Sequence, residues 1–334
     1  MKTKKAMGWA LLLALVLVIS ACGSKTDTAA TTGTDTKGAA EQTTTEQPKA
    51  DAAKETVTIK YLDKEYTVPS KVERVVIAGS MESMEDAVVL GVEPVGGITV
   101  GGKFPELFQS VTAKTESSGE KMQPNFEAIL KMKPDVILGS TKAKPEVGEK
   151  LNKIATYIPV SHIATDWEAN LNLLAELTGK QTKASEELEK YKKSIEESKA
   201  KIGDSLKDKK VVSLRIRAGS IMIYPQGVFF NPILYSDLGL TPPAEVLAAK
   251  AQEKVSLEKL SEINPDVLFV QFAESESKDN PNALKDLESN PIWKSMNAVK
   301  NNKVYVNVVD PLAQGGTALS KIKFIEAAAE KLHN

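Results

Sequence analysis

One cysteine and two histidines are all the thiol and imidazole groups that 334 residues provide. A single Cys excludes an intrachain disulfide framework and any multi-Cys zinc or iron–sulfur site. One of the histidines, His333, is the penultimate residue, so a His-rich metal site is excluded as well. There is no excess of either charge: 43 Lys and Arg face 44 Asp and Glu, for a formal net charge of −1. A general nucleic-acid binder, which carries a basic excess, does not fit that balance. Enzyme signatures are also lacking. There is no Gly-x-Ser-x-Gly, no Walker loop, and no Gly-x-Gly-x-x-Gly with its acidic partner. Gly96-Gly97 and Gly101-Gly102 are too scattered for a nucleotide fingerprint. What remains is ordinary globular composition, 42% hydrophobic and 26% charged, sufficient for two cores of ordinary domain size.

The N-terminus reads as an address. Lys2, Lys4 and Lys5 precede an apolar run from Ala6 to Ile19, too short to cross a bilayer, which takes about 20 residues. A charged start, a short apolar core and small residues before a cut predict a signal peptide over 1–21. The only Cys then follows directly, in Ile19-Ser20-Ala21-Cys22-Gly23. This resembles the bacterial lipobox, which implies that Cys22 is lipidated and becomes the mature N-terminus. Residues 23–54 contain no Ile, Leu, Val, Met, Phe, Trp or Tyr. Such a stretch cannot bury apolar surface and predicts a disordered tether over 22–55, with a reach of about 30 Å.

From Thr56 the pattern changes. Two short strands flank a turn expected at Asp63-Lys64, and short apolar strands then alternate with helices, the mark of a parallel α/β sheet. The second half repeats the first. Glu127 to Leu138 reappears as Glu258 to Phe269, with the same spacing from Glu to Pro134 or Pro265 and then Asp135 or Asp266 before an apolar strand. Leu90-Gly91 has a similar partner in Leu238-Gly239. Two copies imply two similar lobes rather than a solenoid. Between them, Trp167 to Ile202 carries apolar residues at helical spacing with a break at Gly179, and predicts one long, interrupted connection. The expected order is an N-terminal lobe over 56–165, a connecting helix over 166–202 and a C-terminal lobe over 203–334.

In open parallel sheets ligands sit beyond the carboxyl ends of strands. The loops expected there carry Lys103, Lys121, Lys142, Arg215, Arg217 and Lys250. That set is basic in a chain that becomes acidic once its three N-terminal lysines are cut away, which suggests an anionic ligand. Arg215 and Arg217 flank Ile216, so both point to one face of a strand. Gln252 is a candidate hydrogen-bond donor. His162 at a strand end reads as structural, Trp293 as a packing anchor, and Gly315-Gly316-Thr317 as a tight turn.

A polar tether behind a lipidated Cys, then two α/β lobes joined by a long helix, resembles the helical-backbone class of ABC-transporter solute-binding proteins. The strings Tyr61-Leu62-Asp63-Lys64, Ser83-Met84-Glu85-Asp86-Ala87, Gly119-Glu120-Lys121-Met122, Arg215-Ile216-Arg217, Lys250-Ala251-Gln252-Glu253 and Asp310-Pro311-Leu312-Ala313-Gln314-Gly315-Gly316-Thr317 resemble in particular the Feu-type binding proteins for ferric bacillibactin and related tris-catechol siderophores. The resemblance implies a class III periplasmic-binding-protein fold, two Rossmann-like lobes on one backbone helix. It implies capture of a ferric tris-catecholate at Lys103, Lys121, Arg215, Arg217, Lys250 and Gln252, without catalysis or a resident cofactor. Haem, cobalamin, another siderophore or a bare metal ion are the alternatives on this reading. Where the family pattern has Gln after Arg-Ile-Arg, this chain has Ala218, which implies one polar contact fewer. The implied partners are the ferric siderophore, an ABC permease and, through the lipid, the extracytoplasmic face of the cell membrane. The protein is expected to be a monomer that binds no nucleic acid. Permease docking is expected at one rim acid per lobe, Glu85 and Asp237, with Glu258 as the alternative on the second lobe.

Overall fold

The structure is a computed structural model and describes residues 55–333; the signal peptide, Cys22 and nearly all of the tether lie outside the described residues. It opens with an antiparallel hairpin, β1 (Thr56–Tyr61) and β2 (Lys64–Pro69). Tyr61 pairs with Lys64, so the turn is Leu62-Asp63, one residue earlier than expected. The hairpin is pinned by the buried Tyr61, whose hydroxyl donates to Asn170 Oδ1 and accepts from the Ser161 amide at 2.8 Å.

The first sheet consists of β3 (Val75–Ile77), β4 (Gly96–Thr99), β5 (Glu116–Glu120), β6 (Gln123–Pro124), β7 (Val136–Ser140) and β8 (Thr156–Val160), in spatial order β6-β5-β4-β3-β7-β8. All its pairs are parallel except β5 with β6. Between the strands run α1 (Met81–Leu90), α2 (Phe126–Lys131) and α3 (Pro145–Asn152). The connection consists of two helices, α4 (Trp167–Thr178) and α5 (Gln181–Ile202), separated where Gly179 adopts a left-handed conformation. At 1.5 Å per residue α5 alone spans about 33 Å. The second sheet has β9 (Val211–Arg217), β10 (Ser220–Ile223), β11 (Glu253–Lys254), β12 (Val267–Phe272) and β13 (Val304–Val306), in order β11-β10-β9-β12-β13. Its helices are α6 (Ala244–Ala248), α7 (Leu257–Ile263), α8 (Ala283–Ser289), α9 (Pro291–Ser295), α10 (Asn297–Lys300) and α11 (Ala318–His333).

The sequence repeat is a structural repeat, α2–β7 against α7–β12. The two repeat aspartates do the same work. Asp135 accepts from the Glu73 and Arg74 amides at 2.9 Å, and Asp266 accepts from the Lys210 amide at 3.0 Å. Each carboxylate ties its strand to the chain entering the neighbouring parallel strand. The second lobe departs from the first at one edge. A two-residue turn, Ala218-Gly219 with φ of 47° and 68°, sends β10 back antiparallel to β9. Ala218 is thus a hairpin residue in the left-handed region that a type I′ turn requires. It is not among the residues lining the cleft described below.

The lobes share apolar material. One core cluster runs from Ile59 and Tyr61 through Met84, Leu171 and Tyr191 to Phe230 and Phe324. Helix α11 closes the chain by packing on α5 and α1. As a result α1 is enclosed: every residue from Met81 to Ala87 is buried. Trp293 anchors a separate cluster behind the second sheet, as expected.

This enclosure corrects both docking assignments. Glu85 is fully buried. Its carboxylate accepts from the Gln314 amide at 2.7 Å, from the Ser320 amide at 3.1 Å and from the hydroxyls of Thr317 and Ser320. Burial outweighs these donors and pushes its pKa up to about 7. A side chain so enclosed offers no docking handle; it clasps α1 to the segment that leads into α11. Asp237 is also occupied within the molecule. It accepts from Tyr191 Oη at 2.6 Å and pairs with Lys321 Nζ at 2.7 Å. The Lys321 ammonium is buried and lies 5.3 Å from the ring centres of both Trp167 and Tyr191. Removing one member of such a pair strands the other charge. Asp237→Ala should cost about 3 kcal/mol or more, read as a lower denaturant midpoint. Asp237→Ala combined with Lys321→Met should recover most of that loss. An unchanged midpoint in Asp237→Ala would contradict this role.

Candidate ligand cleft

A cleft of about 550 Å³ opens between the two lobes. Its walls are the carboxyl ends of the parallel strands, where β–α loops converge. From the first lobe come Glu82 after β3, Lys121 and Met122 after β5, Lys142 after β7 and His162 after β8. From the second come Arg215 and Arg217 at the end of β9, Tyr224 after β10, and Lys250 and Gln252 before β11. Gln314 and Thr317, between β13 and α11, close the floor.

Lys121 stands on the tight β5–β6 hairpin. That hairpin requires Gly119, with φ of 112°, because a Cβ there would sit 2.5 Å from the Gln123 carbonyl oxygen. The Lys121 ammonium donates to Gln314 Oε1 at 3.0 Å, bridging the first lobe to the C-terminal segment. Burial is the main influence on it. Lys142 and Arg215 add repulsion, opposed by Glu82 and Glu276, and the pKa is brought down to about 8. Lys121 is therefore charged at neutral pH and poorly solvated.

Arg215 and Arg217 share a strand face, as the alternation predicted, and the structure supplies the reason two cations can do so. Glu276, after β12, lies between them. Its Oε2 is 2.8 Å from Arg215 Nε, a charge contact not aligned as a hydrogen bond, and its Oε1 is 3.7 Å from Arg217. Arg215 is buried, donates to the Pro311 carbonyl at 3.2 Å and lies over the Phe229 ring at 5.8 Å. It braces the wall. The Arg217 side chain is 41% exposed and reaches into the cleft mouth. Lys250 is exposed, with its backbone amide held by Glu253 at 2.9 Å. Gln252 accepts from Tyr224 Oη at 3.1 Å.

Three sequence expectations change here. Lys103 does not reach the cleft. Its loop curls back on itself through the Val100–Lys103 bridge, and Glu120 accepts from the Gly101 and Gly102 amides at 3.0 and 2.8 Å. Lys103 is left exposed outside the lining. Lys142 takes its place, 3.4 Å from the buried Glu82. His162, read from sequence as structural, lines the cleft with Nδ1 2.7 Å from Thr141 Oγ1, and burial and then Lys142 hold its pKa below the usual value. Gly315 and Gly316 do more than turn the chain. A Cβ on Gly315 would strike the Phe229 backbone at 2.5 Å, and one on Gly316 would strike Ala164 at 2.4 Å. They let the C-terminal segment pass between the two lobes.

Glu82 and Glu276 were missed because acids run against the sign of an anion site. His162 follows β8, and its strand-exit position was the available signal, the same one that marked Lys142 after β7. Charge distinguishes this cleft from a comparable recess behind α11, which carries Asp310, Glu326 and Glu330 against the single Lys323. Among the described residues no group of three or more His, Cys, Asp or Glu is placed to hold a metal ion. No helix among them is long and apolar enough to cross a membrane.

Known proteins share this fold. The chain is 53% identical over 322 residues to the iron-uptake system-binding protein of Bacillus subtilis (strain 168), covering 96% of each chain. The crystal structure of the triscatecholate siderophore-binding protein FeuA from Bacillus subtilis, complexed with ferri-bacillibactin, superposes with a TM-score of 0.80 at 57% identity, over 83% of this chain and 98% of that one. Staphylococcus aureus SirA complexed with staphyloferrin B superposes with a TM-score of 0.70 at 28% identity, over 83% and 98%. The periplasmic binding protein family matches residues 76–307, which takes in both sheets and almost the whole cleft wall. With two α/β lobes, paired connecting helices and a ligand cleft between strand ends, the chain belongs to the periplasmic binding protein family.

Proposed function

We propose that this chain is the capture subunit of an ABC importer for ferric tris-catecholate siderophores. The observation that carries the reading is the convergence of Lys121, Lys142, Arg215, Arg217 and Lys250, drawn from both lobes, on one cleft. In a ferric tris-catecholate six catechol oxygens already surround the iron, and the complex is a trianion. It asks a protein for cations and hydrogen-bond donors, not for metal ligands. The iron is cargo, and the reading includes no resident cofactor and no covalent step. Ferri-bacillibactin, the ligand of the Bacillus subtilis relative, has this chemistry. At about 7 Å and an effective dielectric near 20, each cation contributes about 2 kcal/mol before desolvation.

The rest of the importer reading concerns anchoring and docking. A lipid on Cys22 would hold the protein at the extracytoplasmic face, with residues 23–54 as the tether. Permease docking needs exposed acids in equivalent places on the two lobes. Glu127 and Glu258 meet that requirement: each is exposed in the first turn of its helix, α2 or α7, at matching points of the repeat. They replace Glu85 and Asp237 in this role. Rim charges of this kind act on docking rather than on ligand affinity.

Quenching of intrinsic fluorescence tests the ligand class. Ferric tris-catecholates should bind, while neutral ferric tris-hydroxamates, haem and cobalamin should bind far more weakly. Lys121→Met should weaken ferric tris-catecholate binding roughly thirty-fold. Because binding an anion favours the protonated lysine, affinity in the parent protein should fall as pH rises past about 8, and that decline should vanish in Lys121→Met. Equal affinity for the neutral hydroxamate would overturn the reading.

Two cellular measurements test the remainder. Cys22→Ala should fold and bind ligand but leave the membrane fraction. Glu127→Ala with Glu258→Ala should stay in that fraction with unchanged ligand affinity and lose uptake. Normal uptake in the double variant would exclude these acids as the docking pair.

A further inference from the structure

The cleft is basic, yet each lobe places one carboxylate in contact with its cations. Glu82, at the start of α1, is 5% exposed and lies 3.4 Å from Lys142 Nζ. Glu276, after β12, has a side chain 13% exposed and lies 2.8 Å from Arg215 and 3.7 Å from Arg217. Neither acid is needed to recognise an anion. Both oppose it, and both are held where solvent screens them little. They act on the whole cleft and not only on their contact partners, since Lys121 feels Glu82, Glu276, Lys142 and Arg215 together. His162 adds no charge at neutral pH, because its pKa lies below the usual value. Glu253, which holds the Lys250 amide, stands on exposed β11 outside the lining.

Of the five cations Lys121, Lys142, Arg215, Arg217 and Lys250, three are therefore in contact with a carboxylate, Lys142 with Glu82 in the lining, and Arg215 and Arg217 with Glu276 just outside it. We propose that Glu82 and Glu276 are specificity-determining residues that lower the cleft potential and so set how strongly the cleft favours a trianionic complex over a dianionic one of the same shape. The proposal rests on the anion-binding reading above. Its physical content is simple. When two ligands have the same shape and differ by one charge, the difference in their binding energies is the cleft potential. Removing a fixed negative charge raises that potential and must widen the preference for the more negative ligand. A carboxylate whose charge is screened from the bound ligand, and which only braces its neighbours, would when altered change the affinity for both ligands alike.

Nature supplies such a ligand pair. One tris-catechol ligand forms a trianion with gallium(III) and a dianion with germanium(IV), in nearly the same octahedral shell. The experiment is calorimetric titration of both complexes into the parent protein, Glu82→Gln, Glu276→Gln and Lys142→Met at low ionic strength. The affinity ratio of gallium over germanium should rise about tenfold in Glu82→Gln and in Glu276→Gln, and fall about tenfold in Lys142→Met. Added salt should shrink all of these changes. Lys142 is half exposed, so its variant keeps the test available if Glu276→Gln, which strands a buried arginine, fails to fold. A ratio unmoved in Glu82→Gln, or moved in the same direction by Lys142→Met, would overturn the proposal alone. If neither complex binds the parent protein, the anion-binding reading fails, and the proposal fails with it.

Discussion

Mutual repulsion among cations that face one cleft is the constraint around which this molecule is arranged. Five basic side chains, two from strand β9 and three from separate loops, converge on a space of about 550 Å³. In water such charges would move apart. Here three of them are held by devices the fold provides. Lys121 is carried on a hairpin that only glycine permits and is tied to Gln314. Arg215 is fixed between Glu276, the Pro311 carbonyl and the Phe229 ring. Lys142 faces Glu82. The cost of gathering these charges is met before any ligand arrives, which is how preorganised electrostatic sites gain affinity.

The lobes are joined through the same elements that build the cleft. The segment from Asp310 to Thr317 passes between them. Gln271 holds it from the second lobe, donating to the Asp310 carbonyl at 2.6 Å, and the buried Glu85 of α1 holds it from the first. Phe229 lies under this segment and belongs to a run of rings, Tyr224, Phe229, Phe230, Phe324 and Phe269, with neighbouring centres 4.3 to 5.1 Å apart. The cleft floor is thus continuous with the core. A shift of one lobe relative to the other would disturb the Lys121–Gln314 bond and the Glu85 clasp together.

Local pattern carried most of the architecture. The 131-residue repeat, with its Pro and Asp before each buried strand, marked two related lobes, and the structure gives both aspartates the same hydrogen-bonding task. Loop position placed Lys121, Lys142, Arg215, Arg217 and Lys250 at the cleft, where Gln252, named as a hydrogen-bond donor, also lies. The failures share a cause. Lys103 sits in a strand-exit loop, but its direction is set by Glu120, which local sequence does not reveal. Glu85 was expected on the rim, and the partners that bury it, Gln314, Thr317 and Ser320, lie more than two hundred residues away in the sequence. Asp237 was similarly claimed by Lys321. Glu82 and Glu276 could not be found by sorting charge, since that reasoning looks for cations alone.

Locating the iron gives the most direct test of the central claim, that a preformed ferric complex is held by cations from both lobes. Crystals of the protein grown with a ferric tris-catecholate, measured at the iron absorption edge, would give that position without ambiguity. The account predicts an anomalous peak inside the cleft, enclosed by catechol oxygens, with Lys121, Lys142, Arg217 and Lys250 around the complex and no protein atom bonded to the metal. Iron ligated directly by His162 or a carboxylate, or a complex seated in the recess behind α11, would contradict it.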